Sequence, residues 1–278
     1  MNRPEWLLDI PADEYHAATK ENKFTTSHRL NLFRKCPALY KKTIDGEIVE
    51  GETAAFALGR ATHTLILEGE GKYADGFVVG DGPENPKTGA PFGKATKAYQ
   101  EWLAAQPLPV IGTEDHALIV KMREAVHAHP VASALLNGGI AEGTIRATWD
   151  GEPVQARLDW FDPESGVLVD LKTCSDVDRF GYDIRDFGYV PQMAFYAQCV
   201  MLASGADRPP KTYLVAVEKK EPYRVSVTEI CALTLLDAIH NHMGGENWRD
   251  DADAMIAELR KCRAANVWPT RYETIIHI

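Results

Sequence analysis

No stretch of this 278-residue chain is apolar over anything near the ~20 residues that a membrane span needs, which argues against a membrane helix. The first residues, MNRPEWLLDIPADEYH, lack the apolar core of a secretory signal. Cysteine is scarce: five residues, an odd number with no paired spacing, which excludes a disulfide framework and suits a reducing cytoplasm. No internal repeat is visible. Positive charge is also short, with 30 Lys and Arg against 40 Asp and Glu and a formal net charge of −10. That balance excludes a broad surface for coating nucleic acid. It leaves room for a narrow basic channel, and for some of the acids to be metal ligands. The chain does have a hydrophobic content of 45%, enough for a full core as one large domain or two small ones.

The most informative stretch is EGTIRATWDGEPVQARLDWFDPESGVLVDLKT, Glu142 to Thr173, three candidate strands joined by two short turns. Asp150-Gly151 is a two-residue hairpin signal, and Asp162-Pro163-Glu164-Ser165-Gly166 cannot continue a strand. In the middle run, Val154, Ala156, Leu158 and Trp160 are expected on one face, with Gln155, Arg157 and Asp159 on the other. In the last run, Val167, Val169, Leu171 and Thr173 share a face, and Leu168, Asp170 and Lys172 share the opposite one. Folding these runs about the second turn brings Asp159 opposite Asp170. Like charges so placed are destabilising, unless a divalent cation sits between them. Carboxylates, a backbone carbonyl and waters suit Mg²⁺, and Lys172 would add a positive charge beside it, as a phosphodiesterase site requires. A solvated hairpin face carrying the same charges is the alternative.

Around this hairpin the pattern is mostly helical. A helical turn is expected over Pro11 to Lys20. A helix capped at Thr25-Thr26-Ser27 runs through His28 to Phe33 and stops at Cys36-Pro37. A second covers about Thr53 to Glu68, with an apolar stripe of Ala55, Leu58, Thr62, Leu65 and Ile66. His63 lies beside that stripe, as a half-buried packing residue or a ligand, and Gly59 one turn earlier leaves room for a close neighbour. Residues 70 to 94 are the loosest part, with a strand only at Phe77-Val78-Val79. Lys87, Lys94 and Lys97 there either meet phosphates or keep the loop soluble. Helices follow at about Ala95 to Ala105, Thr113 to His127 and His129 to Leu136. Beyond the hairpin, Phe187 to Leu202 reads as a helix with Gln192 and Tyr196 four apart on one side. These offer polar tips for phosphate or water, or a packed tyrosine ring. Strands at Thr212 to Val217 and Tyr223 to Val227 precede a helix from Thr228 that breaks at Gly244-Gly245, and a last helix spans Asp250 to Ala264. This order implies an α/β fold with a central mixed β-sheet flanked by helices.

The set LGRATH, RLD, VDLKT and QMAFY resembles the PD-(D/E)xK nuclease superfamily, and within it the RecE-type exonuclease domain (exodeoxyribonuclease VIII-like) of phages and prophages. The pieces EYH, SHRLNLFRKCPALY, AVHAHPVASALL, VAVEKKEPY and Trp268-Pro269 fit the same pattern in order along nearly the whole chain. The resemblance implies a restriction-endonuclease-like core in one nuclease domain over 1–278, with a helical segment at 1–50, the core at 51–230 and a helical segment at 231–278. By motif position, His63 corresponds to the helical histidine near the metal. Asp159 and Asp170 correspond to the metal-binding carboxylates, with the Leu171 carbonyl as a third protein ligand, and Lys172 to the catalytic lysine. Gln192 and Tyr196 correspond to the QxxxY helix beside the cleft, and Glu142 to an upstream acid. Leu-Asp stands here where the superfamily name has Pro-Asp.

The resemblance further implies Mg²⁺ as cofactor, with Mn²⁺ able to substitute, and double-stranded DNA as substrate. Resection would run 5′ to 3′ from ends and leave 3′ overhangs for a single-strand annealing protein. It implies a homo-oligomeric ring, and a bacterial host cytoplasm if the chain is phage-encoded; no membrane partner is expected of a chain without a long apolar run. Lys87, Lys94 and Lys97 are the candidates for DNA contact. One branch of the superfamily holds an iron–sulfur cluster with an early Cys-Pro and a late cysteine cluster. Cys36-Pro37 matches the early piece, but only Cys231 and Cys262 remain late, so no cluster is expected and Cys36 is expected to be a buried helix-end residue. The alternatives are a RecB-like repair or CRISPR-adaptation nuclease acting on single strands or flaps, and a DNA-binding protein that has lost turnover.

Overall fold

The computed structural model describes residues 3–48, 51, 54–241, 251–271 and 273. In chain order the helices are α1 (Ala12–Lys20), α2 (Ser27–Lys35), α3 (Pro37–Ile44), α4 (Ala54–His63), α5 (Glu70–Gly76), α6 (Lys97–Ala104), α7 (Thr113–Ala128), α8 (Pro130–Leu135), α9 (Phe180–Asp186), α10 (Tyr189–Ser204), α11 (Ala232–His240) and α12 (Ala252–Ala265). The strands are β1 (Val78–Val79), β2 (Val110–Ile111), β3 (Ile140–Trp149), β4 (Glu152–Asp162), β5 (Val167–Cys174), β6 (Lys211–Glu218) and β7 (Val225–Ile230). The five long strands form one mixed sheet in the order β3-β4-β5-β6-β7. Only β5 and β6 run parallel; they are joined by the crossover through α9 and α10. The other neighbours are antiparallel.

Alternation along the central strands buries both faces of the sheet. Leu168 of β5 with Leu214 and Ala216 of β6 joins one cluster, under Met193, Phe195 and Cys199 of α10, Leu235 of α11 and Ile256 of α12. Val169 and Leu171 of β5 with Val215 and Val217 of β6 join the other, under Ala61 of α4, Leu65 to Leu67 after it, and Ile119 and Met122 of α7. This helix–sheet–helix layering is the mixed α/β fold expected from the element order. A third cluster, Phe33, Tyr40, Leu259 and Cys262, ties α2 and α3 to α12. Beside it Glu152, 3% exposed, takes both oxygens to Arg263 Nη1 at 2.6 and 2.5 Å and accepts from Thr25 at 2.5 Å. Early chain, sheet and late chain are thus joined through one buried carboxylate.

The structure corrects several expectations. Within the segment read as loose, α5 forms between glycines near its ends and is anchored by buried Tyr73, which packs on Phe77. The β2 strand, which pairs in parallel with β1, was not expected, nor was α9. Thr228 starts no helix: the β-branched run continues β7 to Ile230, paired with Thr212, and α11 begins at Ala232. The expected break at Gly244-Gly245, and the expected helix start at Thr53, lie outside the described residues. Cys36 is half-buried rather than buried. It separates α2 from α3, and its Sγ accepts from Leu39 N at 3.4 Å as a cap. A Cβ on Gly59 would meet nothing within 4 Å, so among the described residues no close neighbour explains that glycine. Also among the described residues, no helix is long and apolar enough to cross a membrane.

Candidate active site

The centre of the site is a defect in the sheet. β3 and β4 pair from Trp149↔Glu152 up to Gly143↔Leu158 and again at Ala141↔Trp160, but the Glu142–Asp159 rung is missing. Glu142 has a φ of +55°, a left-handed conformation uncommon for a residue with a side chain. Both strands turn over at this point. Leu158 packs with the α10 cluster, whereas Trp160 packs with the α7 cluster and Phe161 returns to the first. Trp160 therefore does not share the face of Val154, Ala156 and Leu158 as plain alternation predicts.

The β4–β5 ladder opens at the same level. Its rungs are Asp162↔Val167, Phe161↔Leu168 and Trp160↔Val169, and the next positions in that register are Asp159 and Asp170. There, in place of a backbone rung, Leu171 N–H donates to Asp159 Oδ2 at 2.9 Å. In an extended strand a residue's C=O points to the same side as its N–H, so the Leu171 carbonyl faces the opening too. β5 stays fully paired to β6 throughout, so the opening has one rigid wall.

Side chains from five elements, α4, β3, β4, β5 and α10, converge here. His63, at the end of α4, places Nδ1 3.2 Å from Asp159 Oδ2. It is followed at once by a π-helical turn, Thr64–Glu68, whose Leu65, Ile66 and Leu67 are buried. Single π turns recur at functional sites because they re-aim the flanking side chains. Lys172 Nζ lies 2.5 Å from Asp170 Oδ2 and donates to Gln192 Oε1 at 3.3 Å. Gln192 Nε2 in turn donates to Tyr196 OH at 3.0 Å and to Asp170 Oδ1 at 3.4 Å. The helical spacing of Gln192 and Tyr196 on α10 makes this bridge possible. Lys172 also sits 4.7 Å over the Tyr189 ring. Glu142 is held by Arg157, Nε to Oε2 at 2.5 Å, and Arg157 is fixed in turn by the Ile10 carbonyl at 2.7 Å.

The electrostatics are those of carboxylates crowded in a partly buried place. Burial and the neighbouring Asp159 charge push the Asp170 carboxyl up to about 6. Burial and Asp159 likewise push Glu142 up to about 7, against the pull of Arg157. Burial would also raise Asp159, but His63, Lys172 and the Leu171 N–H together hold it below the usual carboxylate range. Burial would lower His63 and Lys172, yet the surrounding acids outweigh it and both are raised.

A divalent cation fits this donor set. His63, Glu142 and Asp159 offer ligand atoms all within 4.8 Å of one another. Asp170 Oδ2 is fully buried and, although in close ion contact with Lys172, has no donor among the described residues aligned to it as a hydrogen bond. Carboxylate and carbonyl oxygens suit hard divalent cations, and the single imidazole admits divalent transition metals as well.

Among known families, the model for a PDDEXK-like domain of unknown function (DUF3799) matches residues 27–276. The chain belongs to this family. Its fold also matches a solved structure described as a "Putative exonuclease" from Eubacterium rectale, with a TM-score of 0.65 and 12% identity, covering 98% of this chain and 96% of that one. At that identity the likeness speaks for the fold alone. No curated protein matches the sequence.

The PDDEXK-like core thus brings together His63, Asp159, Asp170, Leu171, Lys172, Gln192 and Tyr196, all singled out in the sequence. It adds Arg157 and Tyr189, which were not, and it gives Glu142 a definite place. The signal for Glu142 was present: folding the first hairpin about Asp150-Gly151 brings Glu142 directly opposite Asp159. Lys87 and Lys94 lie in the segment between β1 and α6 and Lys97 begins α6; all three are exposed. Lys97 pairs with Glu101 at 3.6 Å.

Proposed function

We propose that this PDDEXK-like chain is a Mg²⁺-dependent exodeoxyribonuclease acting on double-stranded DNA. The observation that carries the reading is the opened β4–β5 ladder. Two acids, half-buried Asp159 and buried Asp170, occupy it with Lys172 in contact with Asp170 and His63 with Asp159. His63, Asp159, Asp170 and the Leu171 carbonyl, with Glu142, would hold the cation. Once bound, the cation polarises the scissile phosphate and lowers the pKa of an attacking water.

The remaining work falls to the chain itself. Lys172, kept protonated by its acids, presents fixed positive charge where negative charge develops on the phosphate. Gln192 holds both Lys172 and Asp170, so the place of the ammonium beside the carboxylate is set by α10 rather than by the flexible lysine chain. Arg157 holds the Glu142 carboxylate toward Asp159 against their repulsion. The hydrogen bond from Gln192 fixes Tyr196 at the wall of the cleft.

Support for an exonuclease, with 5′ to 3′ polarity, a ring assembly and an annealing partner, comes from the RecE-type motif resemblance. The net charge of −10 agrees with it: a chain that binds duplex weakly through its surface needs enclosure to stay on its substrate. The test is digestion of linear duplex labelled at its 5′ or 3′ end, beside single-stranded and covalently closed circular DNA, with Mg²⁺. Shortening of linear duplex from its ends, with circles intact and an oligomer on sizing, is the expected result. Rapid cutting of closed circles would defeat the exonuclease reading, and preference for single strands or flaps would favour a RecB-like nuclease.

A further inference from the structure

We propose that the exposed aromatic turn formed by α9 and the start of α10 is a stacking platform for an unpaired DNA strand leaving or entering the site. The proposal deepens the nuclease reading and rests on it. The turn connects the end of the acid-bearing strand β5 to α10, the helix that carries Gln192 and Tyr196. Along it the rings run outward in sequence. Lys172 lies over Tyr189, and Tyr189 lies 5.8 Å from Phe187 at 35° between planes. Phe187 is 65% exposed. Tyr182, one turn earlier, is 58% exposed and has the guanidinium carbons of Arg185 and Arg179 at 5.8 and 6.0 Å from its ring.

Two large rings this far in water contribute little burial to the fold. Their neighbour Phe180, 2% exposed, supplies the packing that anchors α9. What the exposed rings do offer is flat faces beside positive charge: Tyr182 is flanked by two guanidinium groups, and Phe187 leads through Tyr189 to Lys172. Flat faces with cations beside them match a nucleic-acid strand, in which flat bases are joined by anionic phosphates. Base–aromatic stacking is sequence-tolerant, because every base has a π-face. It also suits this particular surface. Asp183 and Asp186 share the turn, and Arg185 contacts Asp186 at 3.1 Å, so the local charge is mixed and cannot attract DNA alone. Duplex DNA hides its base faces in the stack, which restricts the platform to unpaired nucleotides.

The experiment measures binding of a short single-stranded DNA oligonucleotide containing 2-aminopurine to wild-type protein in EDTA, where no hydrolysis interferes. Anisotropy and 2-aminopurine quenching are both recorded. Phe187→Ala and Tyr182→Ala should each weaken single-strand binding about tenfold and reduce the quenching, consistent with loss of one stacked base. Blunt duplex binding should change far less, and Phe187→Trp should retain both signals. Unchanged single-strand affinity and quenching in the Phe187→Ala, Tyr182→Ala double variant would overturn the platform. So would loss of binding in Phe187→Trp, since a larger ring must still stack. If the double variant instead changes oligomeric state while binding DNA normally, the surface is a protein contact and the proposal fails. The nuclease reading is tested separately by wild-type digestion with Mg²⁺. Cleavage with ring-independent binding sinks the platform alone, whereas ring-dependent binding by a protein that cleaves nothing sinks the nuclease reading alone.

Discussion

Adding a divalent cation to the metal-free protein should raise its melting temperature, and acid should erase the rise sooner than at an ordinary carboxylate site. At free metal about 100 times Kd, binding to the folded state alone stabilises it by about 2.7 kcal/mol. For 278 residues the unfolding entropy is roughly 0.6 kcal/mol per kelvin, so the shift is about 5 °C. The site's own titrations then set the pH dependence. Asp170 is raised to about 6 and Glu142 to about 7, so at about pH 5 each holds a proton that an ordinary carboxylate would have lost. His63 is raised as well, which adds a third proton competing in the same direction. If only Asp170 must be freed, affinity at about pH 5 falls about tenfold and about 1.4 kcal/mol remains, a shift of about 2 °C. If Glu142 is also a ligand, its further loss of about 100-fold leaves almost no shift. Calorimetric melts with MgCl₂ or MnCl₂ at about pH 8 and about pH 5 measure this directly, with Asp159→Asn as the control that should abolish the shift at both. A shift as large in acid as at about pH 8, or one that survives Asp159→Asn, would refute the assignment of these carboxylates to the metal.

Other outcomes follow from the same geometry. Lys172→Ala should keep the metal-induced shift but lose about 10²-fold in turnover, as for removal of one transition-state donor; near-wild-type turnover at saturating metal would demote Lys172 to a packing residue. Arg263→Met should strand the buried Glu152 carboxylate and destabilise the fold by about 3 kcal/mol, roughly 5 °C in melting temperature. A loss below about 1 kcal/mol would mean that Thr25 alone satisfies Glu152. Protein purified without oxygen should be colourless, since four thiolates are needed for a cluster and Cys36 is engaged as a helix cap. A stoichiometric brown chromophore with acid-labile sulfide would contradict this.

Much of the site could be read from local pattern, because the chemistry sits on a hairpin. Two turn signals, Asp150-Gly151 and Asp162 to Gly166, set the register that puts Glu142, Asp159 and Asp170 at one level, and the helical repeat does the same for Gln192 and Tyr196. What the pattern hid has physical causes. Alternation assumes an unbroken strand, so it misplaced Trp160, which follows the missing rung. Arg157 reads as one more charge on a wet face until the Ile10 carbonyl is seen to hold it toward Glu142, a contact across 147 residues. The α5 and α9 helices are short and interrupted by glycine, with too few residues to show a period. Tyr189 acquires its place only through the parallel β5–β6 crossover, which brings the start of α10 over the end of β5.

The central claim is that the opened β4–β5 ladder hydrolyses DNA with a bound divalent cation. Its most direct measurement is release of nucleotides from end-labelled linear duplex by wild type and Asp170→Asn protein, each with Mg²⁺ and with EDTA. The account predicts release only by wild type and only with Mg²⁺, while Asp170→Asn remains folded. Equal release by Asp170→Asn, or release by wild type in EDTA, would contradict it.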